Sequence, residues 1–366
     1  MEPDIVRAAV ATQRGVPLQV TGVEIFEPGP GQVRVEIAAA GVCHSDMSLL
    51  DDDSELGQQL PAVLGHEGAG VVTDVGPGVT RVVPGDHVIL NWLPSCGRCW
   101  FCSHAQPYLC ESGVPAIPTP YARLADGTAV FPGVDTATFA EATVVGERSV
   151  VAIPADVPMS HAAVLGCAVL TGAGAVLNTA NVRPGQSVAV IGLGGVGLSA
   201  LQAATTAGAG PVVAIDVAES KRDLARANGA TDFVLAGPEC ADAVRDLIGG
   251  RGADVTIECV GRPDSIRTAW SVTRRGGTTV VVGIGSDTDQ VEFEAVDLVW
   301  SGRSLRGCVY GSSNPDVDVP TLLGLAADGR LNLDALITAE TDLHGIDDAF
   351  AAMRHGIGGR TVVRLR

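Results

Sequence analysis

Short apolar runs, separated by turn-forming residues, dominate the first 150 residues of the chain. Residues 33–37 alternate valine or isoleucine with charged residues, and residues 71–75 group valines around one threonine and one aspartate. Gly and Pro fall between such runs, as at residues 28–31, 76–78 and 84–86. Alternation with a period of two is typical of strands with one buried face, and Gly and Pro mark their turns. The pattern predicts a twisted antiparallel barrel or sandwich.

Near residue 170 the pattern changes to buried strands that alternate with helices. The apolar runs 188–191 and 212–215 predict strands, and the alanine-rich segment 196–207 between them predicts a helix. Residues 255–258 and 279–282 predict further buried strands. Strands that alternate with helices form parallel sheets, so this part of the chain predicts an α/β domain.

A glycine pattern stands at the first strand–helix junction. Gly192, Gly194 and Gly197 fit G-x-G-x-x-G, directly after a strand and at the start of a helix. Such glycines permit a tight turn, close approach of a pyrophosphate and close packing of helix on strand. Asp216 ends the next strand about 20 residues on, where a carboxylate binds the adenosine ribose and repels a 2′-phosphate. We therefore expect NAD rather than NADP. Lys221, the only lysine, either reaches this ribose or is a solvated helix residue.

Four cysteines lie close together with the spacing C-x2-C-x2-C-x7-C, namely Cys96, Cys99, Cys102 and Cys110. Four thiolates on one loop match a closed, tetrahedral structural zinc site. The spacing also resembles that of an iron–sulfur cluster, although the usual gap of three residues followed by proline is missing. We predict a structural zinc that folds a lobe of about residues 92–113.

Three further candidate ligands, Cys43, His66 and Cys167, are scattered along the chain. Their spacing alone indicates no site, and each taken singly is most simply a buried thiol or a core histidine. Glycine lies next to or near all three, which permits close approach of the backbone.

Taken together, these blocks resemble the zinc-containing medium-chain alcohol dehydrogenases. The resemblance rests on residues 41–46, 65–70 and 84–86, the four-cysteine lobe, residues 166–167 and the glycine pattern, in that order. It implies an N-terminal GroES-like β-barrel catalytic domain, with a doubly wound Rossmann domain for NAD inserted before the C-terminal segment. The catalytic domain would comprise residues 1–168 and 311–366, and the nucleotide-binding domain residues 169–310.

The resemblance also implies the ligands of a second, catalytic zinc. Cys43, His66 and Cys167 would bind this ion and leave its fourth position for water or the substrate oxygen. Asp46 would hydrogen-bond His66 and orient its ring, and Glu67 would lie near the metal as a transient ligand. Two zinc ions per chain are therefore expected.

Proton transfer and cofactor contacts follow from the same resemblance. Ser45 corresponds to the hydroxyl that takes the alcohol proton, but Ser48 stands where many members have the histidine that ends this relay. Further cofactor contacts would come from His44 and Arg360 at the pyrophosphate, Thr171 and Val196 at the nicotinamide, and Gly195 and Ile284 elsewhere along the dinucleotide.

Within the family, the pattern is similar to the class III-like branch, close to actinobacterial formaldehyde dehydrogenases that use mycothiol. Glutathione-using members have an arginine where this chain has Val114, so glutathione is not supported. Trp92 and Phe139 fall on substrate-pocket positions, where large aromatic residues suit primary or aryl alcohols; each is otherwise an ordinary core aromatic. The proline-rich residues 114–135 predict a surface loop at the pocket entrance or at an interface.

Composition restricts the class of protein further. Apolar residues make up 46% and charged residues 18%, which is typical of a globular chain. The net charge of −18 disfavours nucleic acid and anionic membranes as partners. No uninterrupted apolar run reaches 18 residues and the N-terminus lacks signal-peptide features, so we expect a cytoplasmic protein without a membrane span.

Three functions are compatible with these features. The leading prediction is a zinc- and NAD-dependent dehydrogenase of a primary, aryl or long-chain alcohol and its aldehyde. The alternatives are a mycothiol-dependent formaldehyde dehydrogenase and a catalytically silent nucleotide-binding protein. Resemblance further implies a homodimer or homotetramer, formed at the sheet edge near residues 291–310.

Overall fold

The structure is a computed structural model that describes residues 4–51, 59–113, 119–286 and 288–365. The strands in this part of the chain are β1 (Ile5–Ala11), β2 (Gln19–Ile25), β3 (Gln32–Val42), β4 (Ala62–Val63), β5 (Glu67–Val75), β6 (His87–Leu90), β7 (Ala122–Arg123), β8 (Ala129–Pro132), β9 (Ala142–Gly146), β10 (Val150–Ile153), β11 (Val188–Ile191), β12 (Val212–Asp216), β13 (Asp232–Leu235), β14 (Ala253–Glu258), β15 (Thr273–Val281), β16 (Ser304–Gly307), β17 (Ile337–Thr341) and β18 (Arg360–Arg364). The helices are α1 (His44–Asp51), α2 (Trp100–Ser103), α3 (Met159–Val164), α4 (Leu170–Gly174), α5 (Gly195–Thr206), α6 (Arg222–Ala227), α7 (Cys240–Leu247), α8 (Pro263–Val272), α9 (Ala295–Ser301), α10 (Pro315–Ala327) and α11 (Ile346–Arg354).

Five short strands close a small barrel in the order β1-β2-β7-β8-β4. Neighbouring strands are antiparallel, apart from the parallel pair β4 and β8. Two of these strands come from the segment predicted as a surface loop, and that prediction is wrong for its described part, residues 119–135. The physical reason is that Tyr121, Ala122 and Val130 bury their side chains in the barrel core and close its open edge.

A second sheet joins the two ends of the chain. Its order is β10-β6-β5-β3-β18-β17, with β9 also paired to β3. The long strand β3 lies at its centre, and β18 from the C-terminal segment pairs antiparallel with it, so that Val362 lies opposite Gly41. This pairing carries Arg360, at the start of β18, to the end of β3.

The remaining sheet is wholly parallel and has the order β13-β12-β11-β14-β15-β16. In chain order this is 3-2-1-4-5-6, the doubly wound arrangement that binds dinucleotides where the strand order reverses. The reversal lies between β11 and β14, next to the glycine pattern. The predicted barrel and the predicted parallel sheet are both confirmed.

A buried helical segment, Met159–Thr179, connects the two parts of the molecule. It consists of α3 and α4, each followed by a π-helical turn, at Leu165–Val169 and Ala175–Thr179. Among the described residues it alone has the length and hydropathy to cross a membrane, but 89% of its most apolar 18-residue stretch is buried in the protein, as in the core helix of a globular fold. The predicted domain boundary at 168/169 falls inside this segment and stays a prediction.

Candidate functional site

Four polar side chains meet where the second sheet touches the buried helical segment. The ligand atoms of Cys43, His66, Glu67 and Cys167 lie within 4.8 Å of one another, and all four residues are buried. These four residues are called the metal group below. Strand pairing explains the approach, because Gly41 of β3 lies opposite Glu67 of β5. A Cβ atom at Gly41 would lie 2.1 Å from Glu67 Oε2, so glycine leaves the space that this carboxylate occupies.

Asp46 orients the histidine of this group. It lies in α1 and is fully buried, and His66 Nδ1 donates to Asp46 Oδ1 at 2.9 Å. The same oxygen accepts from the backbone N–H of Gly65 at 3.0 Å, which holds the carboxylate in place. Since Nδ1 is engaged, Nε2 is the ring nitrogen available to a metal ion.

The electrostatics of the group favour a thiolate. A hydrogen bond from Cys167, helped by the charge of Arg360, holds the pKa of Cys43 well below its usual value, and the same hydrogen bond together with burial raises the pKa of Cys167. Burial raises the pKa of Glu67 to about 8, against the opposing effect of the Arg360 charge. Two cysteine sulfur atoms and one imidazole are the protein ligands of a catalytic zinc site, so the residues present fit this ion.

Arg360 joins the metal group to the dinucleotide turn. Its Nη2 lies 2.8 Å from Glu67 Oε1, and its Nη1 donates to the carbonyl of Val42 at 2.8 Å. A Cβ atom at Gly195 would lie 2.6 Å from the Arg360 guanidinium, so the side chain packs against the start of α5. The pairing with Glu67 was missed from the sequence, where nothing local links residues so far apart.

The glycine pattern adopts the geometry that its sequence predicts. Gly192 has a φ of +86°, and a Cβ atom at Gly197 would lie 1.9 Å from its carbonyl oxygen. A Cβ atom at Gly194 would meet no described atom within 4 Å, which leaves the N-terminus of α5 open to a ligand. An open glycine beside free helix N–H groups fits a pyrophosphate.

Asp216 and Lys221 both support the glycine turn. Asp216 Oδ2 accepts from the backbone N–H of Leu193 at 2.8 Å. Lys221 is buried, and its Nζ donates to the carbonyls of Leu193 and Gly358. Lys221 is therefore not a solvated helix residue, because two backbone acceptors hold its ammonium inside the protein. Its contact with the ribose stays a prediction.

The other predicted site residues lie around these two centres. Ser45 Oγ is 3.9 Å from Cys43 Sγ, at the edge of the metal group, and His44 is exposed at the start of α1. Thr171 is buried in α4, next to the point where α4 packs on the Val196 carbonyl. Ile284 is 81% exposed beyond the end of β15. Val114 lies outside the described residues.

The two predicted pocket aromatics have different surroundings. The ring centroid of Trp92 lies 6.0 Å from that of His66, edge to face, and 4.8 Å from that of Tyr310. Phe139 is 0% exposed and packs in the barrel core, 6.3 Å from the Phe350 ring. The structure places Trp92 beside the metal group and shows Phe139 as a core aromatic. Tyr310 belongs to none of the motifs that predicted the site.

The four-cysteine lobe forms a compact second group. Its sulfur atoms lie within 4.8 Å of one another, with Cys96 and Cys102, and Cys99 and Cys110, each 4.0 Å apart. A tetrahedral zinc with Zn–S bonds of about 2.3 Å separates its ligands by about 3.8 Å. All four cysteines are free, and backbone N–H groups, first that of Arg98, lower the pKa of Cys96 to about 6. The lobe therefore fits a structural zinc.

Comparisons with known proteins agree with this geometry. The alcohol dehydrogenase GroES-like domain matches residues 29–155, and the zinc-binding dehydrogenase family matches residues 195–328. An S-(hydroxymethyl)glutathione dehydrogenase of Escherichia coli O139:H28 is 39% identical, over 98% of this chain and 99% of that protein. An alcohol dehydrogenase zinc-binding domain protein from Burkholderia ambifaria has a TM-score of 0.93 at 34% identity, with all of both chains covered. Benzyl alcohol dehydrogenase from Acinetobacter calcoaceticus has a TM-score of 0.90 at 30% identity, over 99% of this chain and 100% of that one.

The fold, the two metal groups and the dinucleotide turn define a zinc-dependent dehydrogenase. The chain belongs to the zinc-containing medium-chain alcohol dehydrogenase family, in its class III-like branch. It is an enzyme that uses NAD and two zinc ions, which rules out the catalytically silent nucleotide-binding function.

Proposed function

We propose that this enzyme interconverts primary aryl alcohols and their aldehydes, by hydride transfer between the carbinol carbon and NAD. The observation that carries this proposal is the position of Trp92, whose indole lies beside His66 and is backed by Tyr310. A flat aromatic wall next to the metal group favours flat, apolar substrates. The relative that acts on benzyl alcohol supports the same substrate class.

Three residues would hold the catalytic zinc, namely Cys43, His66 and Cys167. When bound, zinc acts as a Lewis acid on the alcohol or aldehyde oxygen. Asp46 keeps the His66 ring oriented, as its buried hydrogen bond indicates. Ser45 takes the alcohol proton, since its hydroxyl lies at the edge of the metal group. Because Ser48 cannot serve as a base, the proton leaves beyond Ser45 through water. The four cysteines of the lobe hold the structural zinc.

The cofactor would lie across the carboxyl ends of β11 and β14. Gly194 and Gly195 bring the start of α5 to the pyrophosphate, with His44 and Arg360 beside it. Asp216 binds the adenosine ribose. Thr171 and Val196 lie where α4 and α5 meet, on the side of the nicotinamide. When bound, NAD would accept or return the hydride, and these residues would orient its nicotinamide toward the metal group.

We further propose that the enzyme is a cytoplasmic homodimer. Strand β16 forms an edge of the parallel sheet, and all four of its residues are exposed. The neighbouring helix α9 exposes Val299 and Trp300, the latter by 72%. An exposed strand edge next to apolar side chains is a surface that proteins cover by pairing. A tetramer would need a second interface elsewhere.

A second candidate function is the thiol-dependent oxidation of formaldehyde. The 39% identity with an S-(hydroxymethyl)glutathione dehydrogenase favours it. NADH formation should therefore be measured with benzyl alcohol, with a long-chain primary alcohol, and with formaldehyde in the presence and absence of mycothiol. Efficient turnover of benzyl alcohol, unchanged by thiol, supports the aryl alcohol proposal. Faster turnover of formaldehyde that requires the thiol would replace it, and Cys43→Ser serves as the inactive control in both cases.

A further inference from the structure

Tyr310 is a buried residue in the connection between the parallel sheet and the C-terminal segment. It follows β16 and begins a left-handed stretch, in which Tyr310, Gly311 and Ser312 have φ values of 50°, 70° and 48°. Residues other than glycine rarely adopt this conformation, and it persists only where the surrounding structure imposes it. Contacts with other parts of the protein must therefore keep residues 310–312 in this conformation.

The buried helical segment supplies this restraint. Thr179 Oγ1 and Ser312 Oγ are 2.7 Å apart and hydrogen-bonded. Asn178 Nδ2 donates to the carbonyl of Gly311 at 3.3 Å. A Cβ atom at Gly311 would lie 2.4 Å from the Leu170 carbonyl oxygen, so the two backbones are in close contact. The connection is locked onto the same helical segment that carries Cys167.

The Tyr310 side chain reaches the surroundings of two metal ligands. Its hydroxyl donates to the carbonyl of Gly166, the residue before Cys167, at 2.5 Å. Its ring packs on Trp92, with 4.8 Å between the centroids, and Trp92 in turn lies edge-on to His66. Tyr310 is only 3% exposed, so its ring and hydroxyl are held inside the protein.

We propose that Tyr310 is a positioning residue that sets the place of Cys167 and of the Trp92 wall together. The proposal rests on the function proposed above, in which Cys167 is a zinc ligand. Cys167 lies in a π-helical turn, a local widening of the helix that is common at functional sites. The phenol hydroxyl anchors the peptide group that precedes this ligand, and the phenol ring prevents the indole from turning away from His66. Partners behind the ligands commonly tune metal sites in this way.

Substitution of Tyr310 by phenylalanine tests the hydrogen bond while keeping the ring. In the cobalt(II)-substituted enzyme, Tyr310→Phe should shift the thiolate-to-cobalt absorption band, since Cys167 loses one restraint. In the zinc enzyme, kcat for benzyl alcohol should fall about three- to tenfold, the range that one neutral hydrogen bond supports, with the KM for NAD within about twofold. Cobalt in the four-cysteine lobe contributes equally to all variants, so difference spectra report the catalytic group.

Tyr121→Phe is the matched control, because Tyr121 is also buried but its hydroxyl has no hydrogen-bond partner among the described residues. The control should leave both the spectrum and kcat unchanged. If Tyr310→Phe also leaves the cobalt spectrum and kcat unchanged, while the wild-type enzyme binds cobalt and oxidises benzyl alcohol, the role of Tyr310 is refuted and the proposed function stands. A wild-type enzyme that neither binds cobalt nor oxidises benzyl alcohol refutes both the role of Tyr310 and the proposed function.

If Tyr310→Phe does not fold, the chain has only three tyrosines and can be labelled with 3-fluorotyrosine, which alters the same hydrogen bond without a change of shape. In a Tyr108→Phe, Tyr121→Phe background the label lies at position 310 alone. A shifted cobalt band in that protein supports the proposal, and an unshifted band overturns it.

Discussion

Two glycines of the dinucleotide turn, only three residues apart, should respond in opposite ways to the addition of one methyl group. A Cβ atom at Gly197 would lie 1.9 Å from the Gly192 carbonyl oxygen, whereas ordinary contacts begin at 3.4 Å. The helix and the turn would have to separate by about 1.5 Å, the difference between these distances. A Cβ atom at Gly194 would meet no atom of the described residues within 4 Å, and its φ of −81° suits any residue.

These contacts give the expected changes in stability. Gly197→Ala overpacks a contact with the backbone, which cannot rotate away, so we expect a loss of about 3 kcal/mol in the free energy of unfolding. Gly194→Ala lowers the entropy of the unfolded chain without a clash, and should stabilise the protein by about 0.4–1 kcal/mol. The two variants should therefore differ by about 3–4 kcal/mol.

The affinity for NAD should not follow the stability of the variants, because Gly194→Ala should be more stable and yet bind NAD more weakly than the wild type. The methyl group of Gly194→Ala occupies the space through which a pyrophosphate reaches the N-terminus of α5, so NAD should bind at least about tenfold more weakly, a loss of about 1.4 kcal/mol. Urea unfolding of the cofactor-free protein and titration with NAD by calorimetry separate the two effects. If Gly194→Ala binds NAD like the wild type, or loses as much stability as Gly197→Ala, the assignment of this turn is wrong.

Three further predictions concern single carboxylates. Asp46→Asn keeps the shape of the side chain but removes the charge behind His66, so competition with a chelator should show about 10- to 100-fold weaker zinc binding at the catalytic group. The zinc of the four-cysteine lobe is the internal control. A zinc affinity of the catalytic group that does not change on substitution would contradict the role of Asp46. Asp216→Gly should weaken NAD more than NADP in fluorescence titrations, and parallel losses for the two cofactors would argue against ribose binding. Burial raises the pKa of Asp135 from 3.8 to about 6, so the folded state favours the protonated form and loses stability as pH rises from about 4 to about 6. Asp135→Asn, which tolerates the same left-handed backbone, should therefore raise the melting temperature at pH 8 but not at pH 4, and a gain of equal size at both pH values would exclude this linkage.

Local patterns were sufficient for the strands that they predicted, for the dinucleotide turn and for the lobe. Each of these depends on neighbours in the chain, namely alternation along a strand, three glycines at a strand–helix junction, and four cysteines on one loop. The catalytic ligands are different, because Cys43, His66 and Cys167 have no common spacing and were identified only through a family resemblance. Segment 119–135 was misassigned because its prolines indicated a loop, while burial of its apolar residues turned part of it into barrel strands.

The sequence by itself determined the class of fold through its periodicity and the cofactor through short motifs, and the family followed from the resemblance that those motifs carry. Only the tertiary structure decided which polar groups meet. The pairing of β18 with β3 brings Arg360 to Glu67, and the buried helical segment brings Tyr310 to the peptide before Cys167. Burial also decided that Lys221 supports the glycine turn instead of facing solvent. Contacts between residues more than a hundred positions apart depend on how the sheets and helices pack, and no local pattern in the chain records that.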